Sequence, residues 1–195
     1  MMNKSVKLGI QGRPDVPPRL FDLVPRYIEK YGYKDCLFAG KVNKQWVKYD
    51  GKKFYEITNS ISYGLLKLGV KKGDRIALIA NNAPEWNMID FAIQQVGAIC
   101  IPIYPTISHD DYKYIFNHSE ASIAFFTNKH LYSKVADIIA DIPTIKETYL
   151  IRASEDMKSL QDLIDLGNDN KDVDTLEEAD FYLLYQSNKF HYQEQ

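Results

Sequence analysis

Two stretches of this chain and one scattered set of histidines carry side chains whose types could do chemistry. The first is Asn81-Asn82-Ala83-Pro84-Glu85, which joins an apolar run to a helical pattern. In an open parallel sheet, ligands bind beyond the carboxyl ends of the strands, so Asn81 or Asn82 could face a substrate. Tyr104 stands at the same kind of position after the next apolar run. The same residues also read as a well-made helix start. Asn82 offers a cap oxygen, Glu85 follows three residues later, and Pro84 fits a first turn where its missing N–H costs nothing. That reading needs no ligand.

The second stretch is Ser108-His109-Asp110-Asp111. Ser108 and Asp111 have capping-box spacing, and acidic residues favour the positive end of a helix. Asp110 and Asp111 are adjacent, so on a helix they do not face each other as an acid–base dyad would. The third candidate set is His109, His118, His130 and His191, which show no metal-ligand spacing and no neighbouring cysteine. Gly69-Val70-Lys71-Lys72-Gly73-Asp74 lacks the Gly-Lys-Ser/Thr ending of a phosphate loop, and reads as a helix stop and a turn. On their own residues, these stretches give no catalytic residue, no cofactor-binding residue and no metal site.

The elements that must position them follow from periodicity. Residues 1–18 carry Gly, Pro and charge without a period, which reads as a loose arm. Leu20, Leu23, Val24, Tyr27 and Ile28 then share one helical face, ended by Gly32. Residues 36–49 read as a hairpin turning at Val42-Asn43-Lys44. Phe54, Ile57, Ile61, Leu65 and Leu68 recur at helical spacing. Four continuous apolar runs follow, at 75–80, 98–104, 121–126 and 147–151. Between them lie helical patterns at 83–96, from Ser108 to about Asn117, and at 129–140. The first shows Trp86, Ile89, Ile93 and Val96 on one stripe, and the last points Val135, Ile138 and Ile139 inward. Strands without polar alternation, separated by helices, imply a mostly parallel, doubly wound sheet of flavodoxin or Rossmann type. The α/β unit spans 19–151. Residues 152–179 read as an acidic surface loop or helix, and 180–195 as a final strand and tail.

Composition narrows the function classes. The chain is 45% hydrophobic and 26% charged, with a net charge of −2, the balance of an ordinary globular protein. No basic run suggests nucleic acid. No apolar stretch is long enough to span a bilayer. Cys36 and Cys100 lie far apart in apolar runs, which fits reduced, buried thiols and a cytoplasmic location.

Taken together, residues 56–126 resemble the N-terminal part of AMP-forming long-chain fatty-acid–CoA ligases of the adenylate-forming superfamily. The resemblance rests on LKLGVKKGDRIAL, NNAPEW, AIQQVGAICIPIYP and YIFNHSEASIAFF in that order, with RLFDLVPRYIEKYGYKDCLF before them. It implies ATP, Mg²⁺ and coenzyme A as cofactors of the intact enzyme, and a fatty acid as its substrate. It also implies a cytoplasmic protein, or one peripheral to the inner membrane face. In such enzymes an acidic residue and an apolar strand lead into a Gly- and Thr-rich phosphate loop. Asp180, Phe181–Leu184 and Tyr185 match the lead-in, whereas Gln186-Ser187-Asn188-Lys189 stands where the loop is expected. The expectation is a truncated N-terminal subdomain, inactive by itself. The alternative is a stand-alone flavodoxin-like binding or dimerisation module. A cut domain would self-associate, for instance as a homodimer, through exposed apolar surface.

Overall fold

The computed structural model describes residues 19–42 and 44–171. One 3₁₀ turn, Leu20–Asp22, leads into α1, Leu23–Tyr31. The helical pattern expects Leu20 and Leu23 inward, but they are 49% and 44% exposed. Val24 is buried as the pattern expects, and Phe21 is buried in place of the two leucines. The tighter first turn has fewer residues per turn than an α-helix, so it rotates the inward face by about one position. A hairpin follows, β1 (Phe38–Val42) paired antiparallel with β2 (Gln45–Tyr49). Lys44 takes the left-handed conformation at the turn.

Helix α2, Gly51–Lys67, begins at Asp50, whose side chain accepts the Lys53 N–H at 2.7 Å. The alternating unit then runs β3 (Arg75–Ile79), α3 (Pro84–Gln95), β4 (Ile99–Ile103), α4 (His109–Ser119) and β5 (Ile123–Phe126). It continues through α5 (Lys129–Ser133), α6 (Ala136–Asp141) and β6 (Glu147–Leu150) to α7 (Leu160–Asn168). The pattern over 129–140 reads as one helix, but the structure breaks it at Lys134-Val135. Val135 is buried with a non-helical backbone, φ −132° and ψ 11°, and Ile138 and Ile139 are buried beside it. Burying all three side chains takes precedence over helical continuity.

The four strands form one parallel sheet in the order β4-β3-β5-β6. Alternate residues feed two cores. Ile76, Leu78, Ile123, Phe125 and Tyr149 pack with α2, α3 and α7 on one face. Ala77, Ile79, Ala124, Phe126 and Leu150 pack with α4 and α6 on the other. This is the doubly wound arrangement the apolar runs imply. The hairpin joins the first core through Phe38, which stacks on Phe54 at 4.3 Å, and Phe54 meets Phe91 edge-on at 5.8 Å. Burying one such ring contributes about 2–3 kcal/mol.

Helix α7 starts at a capping box of Ser159 and Asp162 and packs intimately on α2. A Cβ on Gly167 would lie 1.8 Å from the Ser60 carbonyl oxygen, and one on Gly64 would lie 2.5 Å from that of Leu163. Only the absence of side chains lets the two backbones approach so closely. Ser60 Oγ donates to Asn168 Oδ1 at 2.8 Å, satisfying the polar groups this contact covers.

Candidate functional site

The carboxyl end of the sheet gathers the residues singled out by the sequence. Asn81 follows β3, and its backbone N–H donates to Thr127 Oγ1 at 2.8 Å, tying the ends of β3 and β5. Tyr104 follows β4 and is 80% exposed. Its carbonyl accepts the Tyr112 hydroxyl at 3.1 Å. Asn81 and Tyr104 thus end neighbouring strands, since Ile79 pairs with Ile103. Asn82 is exposed and lines a groove of about 430 Å³ with Phe38, Gly40, Pro84, Trp86 and Asn87. Trp86 is only partly buried, because its position on the helical stripe faces this groove.

Asn82 does not cap α3, contrary to its spacing. The N-cap is Ala83, without a side-chain hydrogen bond, and Pro84 follows. Glu85 does not complete a capping box either. It is 8% exposed and pairs with Arg152 from the loop after β6, at 2.7 Å between Oε1 and Nη1. The Tyr49 hydroxyl donates to the same oxygen at 3.3 Å. Burial alone would raise the Glu85 carboxyl, but hydrogen bonds from Arg152 and its charge hold it below the ordinary value. Tyr49 is pushed upward by burial and then by the Glu85 charge. Three segments distant in sequence, β2, α3 and the β6 exit, are clamped beside the groove. The spacing gave no hint of this pair; the one trace is a basic residue directly after the apolar run ETYLI.

The second stretch behaves as its spacing expects. Asp111 N–H donates to Ser108 Oγ at 3.2 Å, and Ser108 N–H donates to Asp111 Oδ2 at 3.3 Å. His109 Nε2 lies 2.9 Å from Asp137 Oδ2 on the exposed face of α4 and α6. His118 stacks on Tyr114. Among the described residues no three His, Cys, Asp or Glu side chains come together to hold a metal. Cys100 is partly buried, but Cys36 is exposed, against the expectation of two buried thiols. It precedes β1, outside the core that its apolar neighbours enter.

The family of AMP-binding enzymes matches residues 25–187. The chain belongs to that family. A "Long-chain-fatty-acid--CoA ligase FadD15" of Mycobacterium bovis is 35% identical over 91 residues, covering 47% of this chain and 15% of the relative. A "Long-chain-fatty-acid--CoA ligase ACSBG2" of Rattus norvegicus is 24% identical over 160 residues, covering 79% of this chain and 24% of the relative. The chain therefore spans a quarter or less of these relatives' length. Among solved structures, a long-chain-fatty-acid-CoA ligase (FadD1) from Archaeoglobus fulgidus superposes with a TM-score of 0.66 at 22% identity. That match covers 76% of this chain and 30% of the ligase. The A domain of a carboxylic acid reductase from Segniliparus rugosus, solved with AMP, gives 0.66 at 14% identity over 80% of this chain and 31% of that domain. These structures share the fold.

For an AMP-binding enzyme, the described residues offer the phosphates of ATP no cradle, and no three carboxylates among them gather to hold Mg²⁺. The first turns of α3 and α4 carry Glu85, and Asp110 with Asp111, which repel phosphate where a helix start would otherwise attract it. The guanidinium of Arg152 is engaged by Glu85. Positions 180–189, the matched lead-in and the four residues after it, lie outside the described residues, as do the 1–18 arm and His191.

Proposed function

We propose that this chain forms the N-terminal α/β part of an ATP-dependent long-chain acyl-CoA ligase. The family match over 25–187 carries the reading, and the two fatty-acid–CoA ligase relatives supply its substrate class. The intact enzyme would condense a fatty acid with ATP, releasing pyrophosphate and leaving an acyl-adenylate. Coenzyme A would then displace AMP. Mg²⁺ would neutralise charge developing on the phosphates.

In this reading the described residues are scaffold. They present the carboxyl end of a rigid parallel sheet, with Asn81, Asn82 and Tyr104 on the ligand side. Among the described residues none is placed as a nucleophile, base or phosphate cradle, and in this reading the chain by itself turns nothing over. Among the described residues no helix is long and apolar enough to cross a membrane. ATP–pyrophosphate exchange with a long-chain acid tests the proposal. The pure chain should show none, and exchange should arise when it is joined to the remaining domains of a related ligase. Exchange by the chain alone would overturn the scaffold reading.

A further inference from the structure

We propose that the outer face of the β1–β2 hairpin docks on an anionic lipid surface. The proposal goes beyond the ligase reading and rests on the hairpin alone. Side chains alternate across a strand, so the hairpin has two unlike faces. Phe38 and Tyr49 pair across the ladder and turn inward, against the first core. Gly40 lies on that side too, where an added Cβ would come within 2.7 Å of the Pro84 ring. On the opposite face Lys41 pairs with Trp46 and Ala39 with Lys48, and all four are exposed.

That face combines an indole with a cluster of cations. Trp46 is 63% exposed, and the Lys41 ammonium stands 5.0 Å from the centre of its ring. Lys44 at the turn and Lys48 along the strand add two more exposed charges. Residues 38–49 hold these three lysines and no acidic residue, in a chain whose net charge is −2. The acidic residue directly after the hairpin, Asp50, is engaged as the cap of α2. Lysines also guard a bare strand edge against pairing, but an exposed indole beside them adds apolar surface where that role needs none.

Lipid matches this pairing of groups better than other anions do. An indole is amphipathic and settles at the level of lipid headgroups. Lysines reach from there to the phosphates on long apolar stems. Near an anionic surface each lysine adds a similar increment of attraction, so the three act together. Nucleic acid is gripped by arginines and by several aromatic platforms along a groove, whereas this hairpin has no arginine and a single indole on its outer face. An acidic protein segment would match the lysines and leave the indole unused.

Vesicle binding by the full 195-residue chain tests the proposal. Vesicles of phosphatidylcholine mixed with phosphatidylglycerol should bind it, and vesicles of phosphatidylcholine alone should not. Lys41→Gln and Lys48→Gln should each weaken binding about fivefold, and together about thirtyfold. Brominated acyl chains should quench Trp46, and Trp46→Phe should remove that quenching although Trp86 remains. The replaced side chains are exposed, so circular dichroism should show every variant folded. No binding to the anionic vesicles would overturn the proposal. So would binding that the lysine replacements leave unchanged, or quenching that survives Trp46→Phe. Tighter binding to polyglutamate than to the vesicles would assign the face to an acidic protein instead. A shift of Trp46 emission with protein concentration, in the absence of lipid, would assign it to a second copy.

Discussion

Arg152 grips Glu85 with two guanidinium nitrogens, at 2.7 and 3.3 Å, across 67 residues of sequence. The pair lies where the hairpin, the start of α3 and the exit of β6 meet. Removing Arg152 strands a nearly buried carboxylate, whereas Glu85→Gln keeps the shape and removes the charge. Arg152→Ala should therefore destabilise by about 3 kcal/mol and Glu85→Gln by about 1–2 kcal/mol. Chemical denaturation of the two variants checks the order.

The same pair gives a pH dependence. The folded Glu85 carboxyl lies below its ordinary value of 4.5. A depressed carboxylate contributes fully above the unfolded value, and that contribution disappears as pH falls through the folded one. The stability advantage of the natural chain over Glu85→Gln should be constant above about pH 5.5 and shrink below about pH 4.5. Acid titration of both proteins, followed by circular dichroism, measures the difference.

Helix capping separates two residues that look alike in the sequence. Ser108 holds the Asp111 N–H, whereas Asn82 makes no cap. Ser108→Ala should cost about 1 kcal/mol, and Asn82→Ala less than about 0.5 kcal/mol. Thermal melts resolve the contrast.

The α2–α7 contact admits no side chain at Gly167. Gly167→Ala must push the helices apart, and should cost about 3 kcal/mol or more, lowering Tm by roughly 6–12 °C in a chain of this size. A melt within 2 °C of the natural chain's would contradict the packing described.

The two cysteines should react at different rates. Cys36 is exposed. The Cys100 thiol is raised by burial and by the Asp90 carboxylate, so little thiolate forms. A thiol reagent at pH 8 should modify Cys36 rapidly and Cys100 only on unfolding.

Much of the fold was legible because its elements announce themselves locally. Continuous apolar runs such as RIALIA and ASIAFF mark buried parallel strands, and the Ser108–Asp111 spacing marks a cap. What escaped was set by contacts between distant segments. Glu85 looks like a capping partner until Arg152 arrives from the far side of the sheet. Nothing near Gly167 says that Ser60 will press against it. Leu20 and Leu23 fit a helical face, and a single 3₁₀ turn moved that face. At the candidate site, the strand ends bearing Asn81 and Tyr104 followed from the alternation of elements. The groove beside Trp86 needed the hairpin, whose docking on Phe54 no local pattern encodes.

The most direct test of the scaffold account is ATP–pyrophosphate exchange with a long-chain fatty acid and Mg²⁺, run on two pure proteins. One is the 195-residue chain. The other carries its residues through Tyr185 joined to the remaining domains of a related fatty-acid–CoA ligase. The account predicts no exchange from the first and acid-dependent exchange from the second. Exchange from the first, or a folded fusion with none, would contradict it.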